Sequence, residues 1–165
     1  MGRLDEAAFA AFHGRTSAAL RAYVYRVIGP VPDVEDIVQE AYLRMLRADL
    51  PFGDEEHLRR YLYKVASNLI VDRWRRGRHE QGEEMMREPA SPRPRYEDDA
   101  AVAKIFAELK PRDRALLWLA YVEGESHEEI ASSLGVGRRG VKVMLFRARR
   151  RLRDLLQARG LLVNS

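Results

Sequence analysis

From Arg78 to Asp99 the chain reads RHEQGEEMMREPASPRPRYEDD, charged throughout, with Pro89, Pro92 and Pro94 and no apolar period. Proline fixes its own φ, removes a backbone donor and disfavours the helical region for the residue before it, so this stretch carries neither a helix nor a central strand across its middle. It reads as a linker over residues 79–99 between an N-terminal unit at 1–78 and a C-terminal unit at 100–165. With 46% hydrophobic residues among 165, the chain can bury one medium core or two small ones, and it is too apolar to be disordered as a whole.

Every segment outside the linker has helical period and none alternates convincingly as a strand, so the fold class is all-α: two small helical domains joined by a flexible linker. From Leu4 to Ile28, Phe9, Phe12, Leu20, Tyr23, Val24 and Val27 recur at helical spacing until Gly29-Pro30, giving one or two helices. Asp33 is placed to cap a second helix, which runs to about Ala48 with Ile37, Val38, Ala41, Leu43 and Leu46 as its apolar positions. After the loop from Asp49 to His57, a third helix begins near Glu56 and ends around Arg76-Gly77. It has Leu58, Tyr61, Leu62, Val65, Ala66 and Leu69 on one stripe.

The C-terminal unit closes on the clearest local pattern. In SHEEIASSLGVGRRGVKVML, Ser126 caps a short helix with Glu129 three residues on, a capping box, and Gly135 stops it. A second helix starts near Arg138 with Val141, Leu145, Ala148, Leu152 and Leu155 or Leu156 inward, which makes a helix-turn-helix. Arg138 to Arg153 holds eight Lys or Arg residues and no acid. On the outward face lie Arg139, Lys142, Val143, Phe146, Arg149, Arg150 and Arg153, where a duplex would meet them in the major groove. Although the formal net charge is only +4, its concentration on this face points to an acidic polymer as partner.

Other functions find little support. The absence of cysteine excludes disulfides, thiolate zinc sites and cysteine nucleophiles, and fits a reducing cytosol. His13, His57, His79 and His127 are scattered, with no H-E-x-x-H, phosphate-cradling glycine loop or G-x-S-x-G elbow, so no enzyme, metal or cofactor is expected. No run approaches eighteen uncharged apolar residues, and the reading is a cytoplasmic protein.

Two N-terminal segments are more specific than the helix-turn-helix: PDVEDIVQEAYLRMLRA at Pro32 to Ala48 and LRRYLYKVASNLIVDRWRRGR at Leu58 to Arg78. With the linker and the terminal helix-turn-helix, in this order, they closely resemble the extracytoplasmic-function (ECF) group of bacterial sigma factors over almost the whole chain. The resemblance implies a factor that binds core RNA polymerase, directs it to promoter DNA and helps open it. It also implies control by an anti-sigma factor. Asp33, Glu35, Asp36, Gln39, Glu40 and Leu43 match the family's polymerase-docking helix, and Glu40 is also spaced to pair with Arg44.

The second segment matches the helix that reads and melts the minus-ten element. Tyr61, Tyr63 and Trp74 interleave there with Arg59, Arg60, Lys64, Arg73, Arg75 and Arg76, a composition suited to stacking unpaired bases, although Tyr61 and Trp74 suit a core equally. Asn68 falls where the family contacts a flipped base, and its amide offers both donor and acceptor. At the minus-thirty-five reader, family members often have T-V-K-S-R-L where this chain has Gly140-Val141-Lys142-Val143-Met144-Leu145. Arg138, Arg139, Lys142 and Arg149 to Arg151 then serve as phosphate anchors, Val143 is suited to a thymine methyl, and recognition leans on shape and backbone. The free protein is expected to be a monomer that binds duplex weakly, because the linker leaves the two readers independent. The alternative is a helix-turn-helix regulator acting on an operator without polymerase, which leaves the two N-terminal motifs unexplained.

Overall fold

In the computed structural model the described residues are 5–50, 53–81 and 97–162, and they form seven α-helices with no strand among them. Helix α1 is one continuous element, Glu6–Ile28. The Asp5 carboxylate accepts from the Ala8 amide at 2.7 Å to open it, and Gly29 closes it at φ 88°, a value that favours glycine.

Helix α2 spans Asp33–Arg47, but Asp33 is not its cap. Pro32 already has helical φ and ψ (−56°, −28°), so winding starts one residue early, and Asp33 in the first turn instead accepts from Arg73 Nε at 2.7 Å. Buried Ile37, Val38, Ala41, Tyr42 and Met45 form its inner face, while Leu43 and Leu46, expected within the apolar stripe, are exposed.

Helix α3 spans Glu55–Gln81. It is opened by Asp54, whose carboxylate accepts from the amides of Glu56 (3.0 Å) and His57 (3.4 Å), so the expected loop at 49–57 yields its last residues to the helix. Gly77 does not stop it, since a single glycine weakens a helix by only about 1 kcal/mol. Helix α4 (Glu97–Glu108) begins before Ala100 on three acids that favour a helix N-terminus. The expected linker at 79–99 therefore gives its two ends to helices, and residues 82–96 lie outside the described ones.

Helices α5 (Pro111–Tyr121), α6 (His127–Leu134) and α7 (Arg138–Ala158) complete the chain. Ser126 Oγ accepts from the Glu129 amide at 3.1 Å and Gly135 takes the left-handed conformation at φ 66°, as the sequence predicts. Only the serine half of the capping box forms: the Glu129 carboxylate faces Arg60 of α3 at 3.6 Å.

The two halves are packed together. Phe12, Leu20, Val24, Leu62, Ala66 and Ile70 of α1 and α3 share one apolar cluster with Leu116 and Leu119 of α5, Ile130 and Leu134 of α6, and Val141 and Leu145 of α7. A smaller cluster, Leu109, Leu117 and Ala148 with Phe106, Leu152 and Leu155 against it, joins α4, α5 and α7. Helix α5 is apolar on both sides because it lies between the two. Each large side chain so buried contributes about 1.5–3 kcal/mol, which favours a closed arrangement over independent halves.

Candidate functional site

Three surfaces carry the residues singled out in the sequence. On α2, burial of one stripe turns Glu35, Asp36, Gln39 and Leu43 outward, with Glu40 half-buried beside them. Leu43 is 45% exposed, next to exposed Leu46. Glu35 is held by Arg21 of α1 at 2.5 Å, and Glu40 by Arg44 at 3.1 Å with Arg47 at 3.9 Å. Asp33 is occupied by Arg73. The result is a small apolar step rimmed by acids and an amide, a composition suited to another protein rather than to a polyanion.

On α3 the candidates divide. Lys64, Arg75 and Arg76 are exposed and Asn68 is half-buried. Arg73 is committed to Asp33. Arg59 is drawn between Glu56 of its own helix (2.7 Å) and Glu123 beyond α5 (2.6 Å), and its guanidinium lies 5.6 Å from the centre of the Tyr63 ring. Hydrogen bonding to Glu56, opposed by burial, raises the Arg59 pKa above its ordinary value and lowers that of Glu56. Tyr63, expected among the base-stacking aromatics, is 1% exposed and packed on Tyr23, so in this arrangement it is core. Burial pushes the phenols of both tyrosines up. Tyr61 and Trp74 are half-buried against the main cluster.

The seam between the halves is an acid cluster that the sequence did not reveal. The turn after α5, bent at Gly124 (φ 66°), sets Glu123 against Arg59 and buries Glu125, whose Oε2 accepts from Ser133 Oγ at 3.5 Å. Burial first, then the neighbouring carboxylates Glu129 and Glu123, raise the Glu125 pKa to about 7, against the opposing effects of Arg59 and the Ser133 hydrogen bond. Glu123, Glu129 and Ser133 are close by in the sequence, but Arg59, which the approach of α3 brings to this turn, is not.

On α7, Arg138, Arg139, Lys142, Val143, Phe146, Arg149 and Arg150 are all exposed, while Val141, Leu145 and Ala148 are buried beneath them. Arg149 donates to Tyr121 Oη at 2.9 Å, which steadies it. Arg151, expected among the phosphate anchors, is paired with the buried carboxylate of Asp113 at 2.7 Å. Among the described residues, no group of three or more acidic or histidine side chains is placed to hold a metal ion, and no helix is long and apolar enough to cross a membrane.

Comparison with known proteins gives these surfaces a common context. The family model described as "Sigma-70 region 2" matches residues 13–80, which contain α2 and most of α3, and "Sigma-70, region 4" matches residues 99–152, which contain the helix-turn-helix. The ECF RNA polymerase sigma factor SigL of Mycobacterium tuberculosis is 30% identical over 164 residues, covering 94% of this chain and 93% of that protein. Among solved structures, the sigma factor RpoE of Bartonella quintana, crystallised with the anti-sigma factor NepR, shares the fold. Its TM-score is 0.72 at 23% identity, over 90% of this chain and 96% of that one. CnrH in complex with the cytosolic domain of CnrY gives 0.60 at 25% identity, over 93% and 90%. A chain that carries both sigma-70 regions in order and aligns with SigL nearly end to end belongs to the ECF group of RNA polymerase sigma factors.

Proposed function

We infer that this sigma factor divides its work among the three surfaces: α2 docks on core RNA polymerase, α3 reads and opens the minus-ten element, and α7 holds the minus-thirty-five element. The observation that carries the docking assignment is Leu43, 45% exposed among Asp36, Gln39 and Glu40 on a helix whose other face is fully used by the core. An exposed leucine on a charged rim gains from covering by a protein surface, at about 25 cal/mol per Å² of apolar area buried.

On α3, Asn68 is assigned to a flipped base, with Lys64, Arg75 and Arg76 on the adjoining backbone. Arg59 and Arg73 join them once released from Glu123 and Asp33. On α7, Arg138, Arg139, Lys142, Arg149 and Arg150 neutralise phosphates, and Val143 faces the base edges. The alternative of an operator-binding regulator gives no use for α2 or α3 and is set aside by the region 2 match.

The factor acts in the cytoplasm with the polymerase, without a metal, cofactor or catalytic group of its own, and we propose that a separate anti-sigma protein restrains it. The decisive experiment is run-off transcription with core polymerase on a randomised promoter library. Initiation at a defined sequence only when this chain is added supports the assignment, and unchanged initiation by core alone refutes it.

A further inference from the structure

The outward face of α7 has an unusual chemistry for a surface that reads DNA. From Arg138 to Arg153 the sequence is RRGVKVMLFRARRRLR, which contains no Ser, Thr, Asn, Gln, Asp, Glu, His or Tyr. The amides that read adenine and the carboxylates that read the cytosine amino group are therefore missing, as are hydroxyls. Two ways of reading a base edge are left: a cation on guanine, or an apolar contact with the methyl group of thymine.

The structure places an apolar pair where the second is available. Val143 is 48% exposed and Phe146 is 57% exposed, and neither belongs to the apolar clusters that hold the fold. Three residues apart on a helix, they lie on one face about 4.5 Å apart along the axis, close to the ~3.4 Å step between bases on one strand. Exposed Arg139 and Lys142 lie on the N-terminal side of the pair and Arg149 and Arg150 on the other, so phosphate contacts would hold this stretch against the groove floor.

We propose that Val143 and Phe146 determine the sequence specificity of α7 by covering the 5-methyl groups of two adjacent thymines in the major groove. The cations around them anchor the helix on the phosphates, which places the pair but reads no thymine. This rests on the promoter-reading function inferred above.

The test uses the full chain with core RNA polymerase. A minus-thirty-five element is selected from promoters randomised over it, and each thymine is then replaced singly by deoxyuridine, which removes the methyl group and leaves every hydrogen bond of the pair in place. The selected element should contain adjacent T·A pairs, and each replacement there should lower run-off output about fourfold, the equivalent of ~0.8 kcal/mol for one buried methyl. Val143→Ala and Phe146→Ala should each remove the sensitivity at one of the two positions. Both side chains are exposed, so the fold is not at stake. The proposal is overturned if no adjacent T·A pair is selected, if deoxyuridine templates match thymine ones, or if both variants keep the full deoxyuridine effect. Absence of initiation anywhere in the library would instead remove the promoter-reading function itself, a result distinct from accurate initiation that is indifferent to the methyl groups.

Discussion

Glu125→Gln should stabilise the protein at alkaline pH and leave it nearly unchanged at acid pH. Glu125 is 8% exposed in the seam between the halves, near Glu123, Glu129 and Arg59, with Ser133 Oγ 3.5 Å from its carboxylate. Its pKa is raised from 4.5 to about 7, chiefly by burial. Between these two values the folded chain holds a proton that the unfolded chain has released, so the contribution is fully present below pH 4.5 and is lost as pH rises through 7. At about 1.4 kcal/mol per tenfold change in proton affinity, the linked free energy is at most about 3 kcal/mol. Glutamine keeps the shape of the protonated acid and a carbonyl for Ser133, and it cannot ionise. Urea unfolding followed by circular dichroism at pH 5 and pH 8 isolates the effect, because other titrating groups are common to both proteins. The variant should gain about 2–3 kcal/mol over wild type at pH 8, or several degrees in Tm, and less than about 1 kcal/mol at pH 5. Equal stability at pH 8, or the same difference at both pH values, refutes the reasoning.

Asp36→Ala with Gln39→Ala should weaken competition for core polymerase while leaving the helical circular dichroism intact, since both side chains are exposed on α2. Asn68→Ala should cost about 1–3 kcal/mol of discrimination at one minus-ten base, measured by run-off on promoters varied at that position. Arg149→Ala should instead lower binding on every promoter alike and reduce its salt dependence, read in the same assay at two salt concentrations. Gly135→Ala should destabilise by about 1–2 kcal/mol in urea unfolding, because the cost is the left-handed backbone at φ 66°. A Cβ there meets only Arg75 Nη2 at 4.0 Å, so steric crowding adds little.

What the sequence made legible was local. The apolar periods of α1 and α3, the Ser126 cap and the Gly135 stop each depend on residues within a turn or two of one another, and each stands as read. What the sequence did not show was chiefly distant partners. Asp33 looked like a cap because its neighbours suited one, but Arg73, forty residues on, takes its carboxylate. Tyr63 looked like a stacking aromatic because it alternates with cations, yet it is packed on Tyr23 of α1. Arg59 was read among the cations of the minus-ten helix, and what the sequence did not show is that its partners are Glu56 one turn before it and Glu123 sixty-four residues away. The far end of α3 was misplaced for the opposite reason: Gly77 was given the weight of a stop signal that one glycine in a long helix lacks.

In the closed arrangement the two proposed promoter readers are not independent. Independent readers would bind weakly because no avidity links them, but in this arrangement α6, the first helix of the helix-turn-helix, lies on α3. Arg59 cannot satisfy Glu123 and a phosphate with the same nitrogen, and Arg60, beside Glu56 and Glu129, is under the same competition. Closure and the proposed minus-ten contacts therefore draw on the same cation, Arg59. A partner that separates α6 from α3 must cover or replace the apolar contacts of Ile130 and Leu134, and in doing so would release Arg59 and Arg60 from Glu123 and Glu129. In the closed chain the outward face of α7 is exposed, and so are Lys64, Arg75 and Arg76 of α3, so opening the seam would add Arg59 to the proposed promoter contacts.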